Sequence, residues 1–182
     1  MLEDPDSELI ERCRHGERGA FAELVVRYQK PVFNAALWIL RKVEDASDVT
    51  QSVFLKVWER LDEFDGQHRF FSWIYRIAVN EALNQQRRTE REDELDDDFD
   101  LPDTARADPQ VVLIEREEAR QVQQALKRMA TNDRVVLMLR HFSECSYDEI
   151  AQILELDAKT VKSRLFEARR RLQGQLAGLR VH

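Results

Sequence analysis

Apolar residues recur along this chain at three- and four-residue intervals, and strand-like alternation is absent. Phe21, Leu24, Val25 and Tyr28 follow the i, i+3, i+4, i+7 spacing of one helix face. Val49, Val53, Val57 and Leu61 make a second stripe, broadened by Phe54 and Trp58, and Trp73, Ile77 and Ala78 continue the pattern after Gly66. These segments predict a helical domain over residues 7–90, with Leu24, Val25 and Trp38 packed inside it or partly against a second domain. Further on, Ala119, Val122, Leu126 and Met129, then Val135, Met138, Leu139 and Phe142, predict two more helices. Two short helical segments close the chain. The five glycines fall at 16, 19, 66, 174 and 178, so a helical reading runs unbroken by glycine from 67 to 173. The fold class is all-α, with domains at 1–90 and 115–182.

Between them the pattern stops. The stretch TEREDELDDDFDLPDTARADP holds two of the four prolines, and residues 89–115 carry eleven acidic and two basic side chains. This composition predicts a solvated, flexible linker over residues 91–114. Its carboxylates lack the glycine-turned spacing of a calcium loop, so no metal is expected. Residues 89–115 therefore account for more than the whole net charge of −7, whereas residues 116–182 carry thirteen basic and nine acidic groups. A basic C-terminal part behind an acidic linker fits nucleic-acid binding.

Within that basic part, SYDEIAQILELDAKTVKSRLFEARRRLQ reads as two helices and a tight turn. Ser146 and Glu149 have the spacing of a capping box, and Asp157 is placed to cap the second helix. Ile150, Ala151 and Leu154 should face Leu156, Val161 and Leu165. Glu155 occupies a turn position that favours glycine, and a left-handed backbone there costs roughly 1 kcal/mol. With Val161, Leu165, Ala168 and Leu172 buried, Lys159, Thr160, Lys162, Ser163, Arg164, Phe166, Arg169 and Arg170 are the candidates for contact with DNA. The arrangement is a helix-turn-helix whose second helix reads a major groove.

In the first domain, HRFFSWIYRIAVNEALNQQRR interleaves aromatics with arginines, a combination suited to unstacked bases. Trp73 and Ile74 lie on the apolar side and belong to the core. Phe70 and Phe71, at the junction after Gly66, are expected to be exposed.

Three motifs in order, DASDVTQSVFLKVW, FFSWIYRIAVN and SYDEIAQILELDAKTVKSRLFEAR, resemble those of group-four, extracytoplasmic-function sigma factors over almost the whole chain. The resemblance implies a non-enzymatic subunit that binds core RNA polymerase and directs it to promoter DNA, with no cofactor. It places Asp45, Asp48, Gln51, Phe54, Leu55 and Trp58 on the polymerase-docking surface. It places Phe64, Phe70, Phe71, Arg76 and Asn80 in the part that melts the −10 element, and the helix from Lys159 to Arg170 on the −35 element. The linker would thread toward the RNA exit channel.

One departure from the family pattern stands out. In VEDASDVTQSVFLKVWERL, the family's acids at 47 and 52 are replaced by Ser47 and Ser52, with Thr50 between them. All three hydroxyls are expected in the first turns of the docking helix. The polymerase surface is basic in this family, so the unmodified chain loses attraction there. A phosphate adds about −1.5 to −2 charges and suits an arginine-rich partner. Thr50 is the first-choice acceptor, followed by Ser47 and Ser52, and a Ser/Thr protein kinase is the implied partner. An anti-sigma protein gripping both domains is the rival control. Thiol sensing is disfavoured because no activating charges accompany Cys13 or Cys145.

Two other functions remain in view. A free-standing dimeric helix-turn-helix regulator would bind paired half-sites without polymerase. A sigma-like decoy would lack a competent −35 helix. No nucleophile–base pair or glycine-rich phosphate loop argues for an enzyme. No apolar run approaches the roughly 20 residues that span a bilayer, and the polar N-terminus has no signal-peptide core, so a cytosolic protein is expected.

Overall fold

The computed structural model describes residues 5–89, 121–122 and 124–179; the acidic stretch 91–114 and Ala119 lie outside them. Among the described residues there is no strand. The N-terminal half holds α1 (Ser7–Arg14), α2 (Arg18–Leu40), α3 (Val43–Arg60), a 3-10 turn at Leu61–Glu63, and α4 (Phe70–Thr89). A helical stretch ending at residue 127 leads into α5 (Thr131–His141), α6 (Tyr147–Leu154) and α7 (Ala158–Leu179).

In the first half α2, α3 and α4 pack on one another, with α1 across α2. Val49, Val53, Val57 and Leu61 are all buried, as their spacing predicts. Of the first stripe, Leu24 and Tyr28 are buried while Phe21 and Val25 are half-buried against the core. α2 runs straight through Pro31 and ends in a left-handed Arg41 (φ 64°), whose N–H is donated to Leu37 O. Asp6, 1 % exposed, accepts from the Arg27 guanidinium and the Tyr28 hydroxyl, fastening the start of α1 to α2. A carboxylate taken this far from water requires such charge-assisted partners.

The second half packs α5 against α7 and α6 against α7. Asp133 receives both of its bonds from Arg171 Nη1 (2.9 and 2.7 Å), tying α5 to α7. The buried Arg134 guanidinium donates to Met129 O (2.8 Å) and Thr131 Oγ1 (3.1 Å), and reaches Ile39 O in the first half (3.5 Å).

The two halves share one core. α6 lies on α4, and α5 lies on α2. Trp38 meets Phe142 at 4.4 Å between centroids, Gln86 Nε2 donates to Thr131 Oγ1 (2.8 Å), and Ser143 Oγ donates to Tyr75 Oη (3.4 Å). Trp38 is therefore packed against the second domain, whereas Leu24 is internal to the first. A cleft of about 380 Å³ remains at this seam, walled by Trp38, Phe71, Tyr75 and Phe142 with Lys30 and Asn34 among its lining residues. Burial pushes the Tyr75 phenol up to about 12, against the Ser143 contact that lowers it.

Candidate polymerase and promoter interfaces

α3 starts after the extended Lys42 and carries Glu44 and Asp45 in its first turn, where the helix dipole favours acids. Ala46, Val49, Val53, Phe54 and Val57 face inward. The outer face presents Asp48, Gln51, Leu55 (64 % exposed) and Trp58 (46 %), with Asp45 half-exposed. Trp58 stands edge-on to Phe21 at 4.8 Å, which holds its ring in place. Phe54 departs from the expected docking set. It is a core residue, because its position falls on the same side of the helix as Val53 and Val57.

The three hydroxyls are also placed differently from expectation. With α3 beginning at Val43, Thr50 and Ser52 lie about two turns or more inside the helix, beyond the reach of its N-terminal dipole. Only Ser47 stands near the start. Thr50 Oγ1 donates back to Ala46 O (2.6 Å), the usual use of a hydroxyl inside a helix. Ser52 Oγ is 3.5 Å from Glu81, whose carboxylate is paired with Lys56.

The segment after α3 forms the second candidate surface. Gly66 takes φ 71°, and Asp65 Oδ1 accepts the Gln67 N–H (2.9 Å), a side-chain turn that redirects the chain into α4. Phe64 and Phe70, expected to be available to DNA, are both sealed in the core, at 5 % and 0 % exposure. Their rings meet edge-on at 5.5 Å, and Phe70 also abuts Tyr28 and Trp73. The spacing marks these positions as a junction but cannot show that Tyr28 of α2 reaches it. Phe71 is half-buried, stacked on Tyr75 at 4.3 Å. Trp73 is half-exposed rather than fully internal, Ile74 is fully buried, Arg76 is half-exposed and Asn80 is exposed.

Around these residues opens a cleft of about 220 Å³, lined by Phe64, Asp65, His68, Ser72, Trp73 and Arg76. The Ser72 hydroxyl, in a residue only 2 % exposed, has no hydrogen-bond partner among the described residues. Gln152 of α6 closes the far side of this cleft. On either side of Gln152, Glu149 Oε1 takes a bond from Arg69 Nη1 (3.0 Å), and Glu155 Oε1 lies 3.9 Å from Arg76 Nη1.

The third surface is built by local chemistry. Ser146 Oγ accepts the Glu149 N–H (3.1 Å) and Glu149 Oε2 accepts the Ser146 N–H (2.8 Å), completing the capping box. Burial alone would raise the Glu149 carboxyl. The Ser146 bonds and Arg69 outweigh it and hold the group below the usual carboxylate range. Glu155 adopts the left-handed turn (φ 53°, ψ 48°); its N–H is donated to Gln152 O (3.4 Å) and the following Leu156 N–H to Ala151 O (2.9 Å). Asp157 accepts the Thr160 hydroxyl (2.6 Å) and N–H (2.8 Å), which lower its pKa in that order. Thr160 is thus engaged in capping. Val161, Leu165 and Ala168 are buried with Ile150 and Ile153, while Leu154 is only half-buried, so the inward face of α6 is set by Ile153.

Lys159, Lys162, Ser163, Arg164, Phe166 (65 %) and Arg170 project into solvent. Arg169 turns aside and donates Nε–H to His141 Nε2 (3.3 Å). Burial, then the nearby Arg169 and Arg140, keep the His141 ring below its ordinary pKa, consistent with its accepting that bond. Both cysteines are buried, and burial pushes the Cys145 thiol up to about 12, the reverse of an activated thiolate.

Comparison with known proteins shows the family. Residues 24–92 match Sigma-70 region 2, and residues 119–172 match Sigma-70, region 4. The chain is 31 % identical over 188 residues to the RNA polymerase sigma-H factor of Pseudomonas aeruginosa, covering 98 % of this chain and 97 % of that protein. It is 33 % identical over 185 residues to the ECF RNA polymerase sigma-E factor of Escherichia coli, covering 96 % and 95 %. Among solved structures, CnrH in complex with the cytosolic domain of CnrY superposes with a TM-score of 0.72 at 27 % identity, over 95 % of this chain and 97 % of that one. The sigma factor RpoE in complex with the anti-sigma factor NepR from Bartonella quintana shares the fold, with a TM-score of 0.70 at 23 % identity over 86 % and 96 %. The chain belongs to the extracytoplasmic-function group of sigma-70 family RNA polymerase sigma factors. Members of this family are transcription initiation factors and not enzymes. Among the described residues no helix is long and apolar enough to cross a membrane.

Proposed function

We propose that this chain binds core RNA polymerase through the outer face of α3 and carries it to promoters read by α4 and α7. The observation that carries the proposal is the exposed Leu55 and Trp58 on α3, in a chain that also builds a complete helix-turn-helix. A free-standing DNA-binding regulator has no use for such an apolar pair, whereas a polymerase subunit needs an anchor of this kind. Residues 1–90 then dock and melt, residues 115–182 read the −35 element, and 91–114 connect them. α7 lies in the major groove, with Lys159, Lys162, Arg164 and Arg170 on phosphates and Phe166 against base methyls. Arg69, Arg76, Trp73 and the unpaired Ser72 hydroxyl form the bed for an unstacked base of the −10 strand. The place of action is the cytoplasm, where the polymerase is.

The docking face carries Ser47 and Ser52 where the family pattern has acids, with Thr50 between them, and we read the three hydroxyls as sites of control by a Ser/Thr protein kinase. Thr50 and Ser47 are half-exposed and stand ahead of Ser52, whose neighbour Glu81 repels a phosphate. The added charge acts on the partner's basic side chains, since Thr50 lies beyond the helix dipole. An anti-sigma protein seated on both domains is the second mode of control; the likeness to CnrH, solved with the cytosolic domain of CnrY, favours it.

The test is binding of the full chain to core polymerase at one fixed salt concentration, unmodified and phosphorylated at Thr50. Tight binding by the phosphorylated form alone supports the charge switch. Equal tight binding removes the kinase and favours the anti-sigma partner. Binding by neither form returns the free-standing regulator.

A further inference from the structure

Glu149, Gln152 and Glu155 recur at three-residue intervals, and all three meet the surface of α4 proposed above to hold the −10 strand. Glu149 meets Arg69, Gln152 closes the cleft beside Trp73 and Ser72, and Glu155 stands opposite Arg76. The two carboxylates are separated by roughly 9 Å of helix, at 1.5 Å rise per residue. An amide between two anions, facing two arginines and an aromatic cleft, has the chemical layout of a base between two phosphates.

We infer that α6 is an intramolecular stand-in for single-stranded DNA: its Glu149–Gln152–Glu155 face occupies the strand-reading surface of α4, so that strand binding and domain packing exclude one another. The inference rests on α4 being the strand reader.

The remaining contacts across the seam set the character of the device. Trp38–Phe142, Gln86–Thr131 and Ser143–Tyr75 hold the halves together away from the arginines. They keep α6 in place when no strand is present. The arginines are the contacts for which a strand competes directly. α7 takes no part, and its basic face stays in solvent. A duplex therefore binds the packed chain, and a melted strand requires it to open.

The experiment uses the full chain with dyes on cysteines substituted for the exposed Gln29 and Gln173, one in each half. A mixed-sequence 20-nucleotide single strand is titrated in at low salt, and binding and interdomain energy transfer are read together. Binding and loss of transfer are expected to coincide. The E149Q/E155N variant keeps both caps, because glutamine serves a capping box and asparagine tolerates the left-handed turn. Its binding midpoint is expected about fivefold lower, the yield of two partly exposed ion pairs. The E144N/D148N control removes the same charge from exposed positions and should shift far less. Saturating strand that leaves transfer unchanged overturns the inference, as do equal shifts in variant and control. If strand affinity is indifferent to R69Q/R76Q, α4 is not the strand reader, and the proposed function fails at that point whatever the dyes report.

Discussion

The two helices assigned to DNA, α4 and α7, present opposite states in one structure. Both carry arginines and aromatic rings at their working surfaces. α7 displays Phe166 at 65 % exposure among solvated lysines and arginines, whereas α4 begins with Phe70 at 0 %, and Arg69 just before it and Arg76 within it stand opposite Glu149 and Glu155. The difference comes from what each side chain can reach. α7 packs on α5 and α6 with one narrow stripe and leaves most of its circumference free. α4 is gripped by α2 and α3 on one side and by α6 on another. A phenylalanine beside an arginine therefore says little about DNA until the third partner of its helix is known.

The sharpest way to break this comparison is to remove the same ring from each helix. Phe70→Ala should cost about 3–5 kcal/mol of stability, the range for a large core ring. Phe166→Ala should stay within about 0.5 kcal/mol, as for an exposed residue, yet weaken −35 duplex binding by the polymerase-bound chain. Chemical denaturation and a holoenzyme binding assay read the two. If Phe166→Ala unfolds the chain, the contrast is void.

A smaller effect is expected on α3, the third exposed surface. Trp58→Ala should lower affinity for core polymerase by about 1–2 kcal/mol, as for an aromatic anchor. It should leave promoter DNA contacts untouched, which titration against core polymerase will check. Smaller again, Asp157→Ala should destabilise the second domain by about 1 kcal/mol through the lost cap, measured by the melting temperature.

The last prediction concerns pH. The Glu149 carboxyl sits below its ordinary value in the folded chain, so its contribution is complete above the unfolded value of about 4.3. That contribution is lost as pH falls through the folded value. Melting curves from pH 6 to 3 should show this acid sensitivity, and Glu149→Gln should reduce it.

Sequence makes legible what neighbours in sequence decide. Ser146, Glu149 and Asp157 each take the capping role their type and spacing announce, and Glu155 takes the turn its position demands although its type does not favour it, because partners three residues away need no tertiary knowledge. The stripe of Val49, Val53, Val57 and Leu61 is equally legible. Phe54 lies beside that stripe and follows it inward, but the depth of Phe64 and Phe70 is not legible, since it depends on Tyr28 of α2 reaching the junction where their rings meet. Thr50 falls on the expected helix, but its bond back to Ala46 and its distance from the helix start depend on where α3 begins. The seam between the halves leaves no periodic trace. Asp6 with Arg27 and Tyr28, Arg134 with Ile39, and Glu149 with Arg69 join residues about 20 to 95 positions apart, at a range where no local pattern operates.

Glu149 uses one oxygen to begin a helix and the other to bridge two domains. A deep mutational scan should therefore find two tolerance profiles at this position. Selection for folding of the second domain should accept glutamine alongside glutamate. Selection for low basal transcription should accept glutamate far more readily than glutamine. The gap between the two profiles at this codon would measure how much of the residue's constraint comes from regulation rather than from architecture.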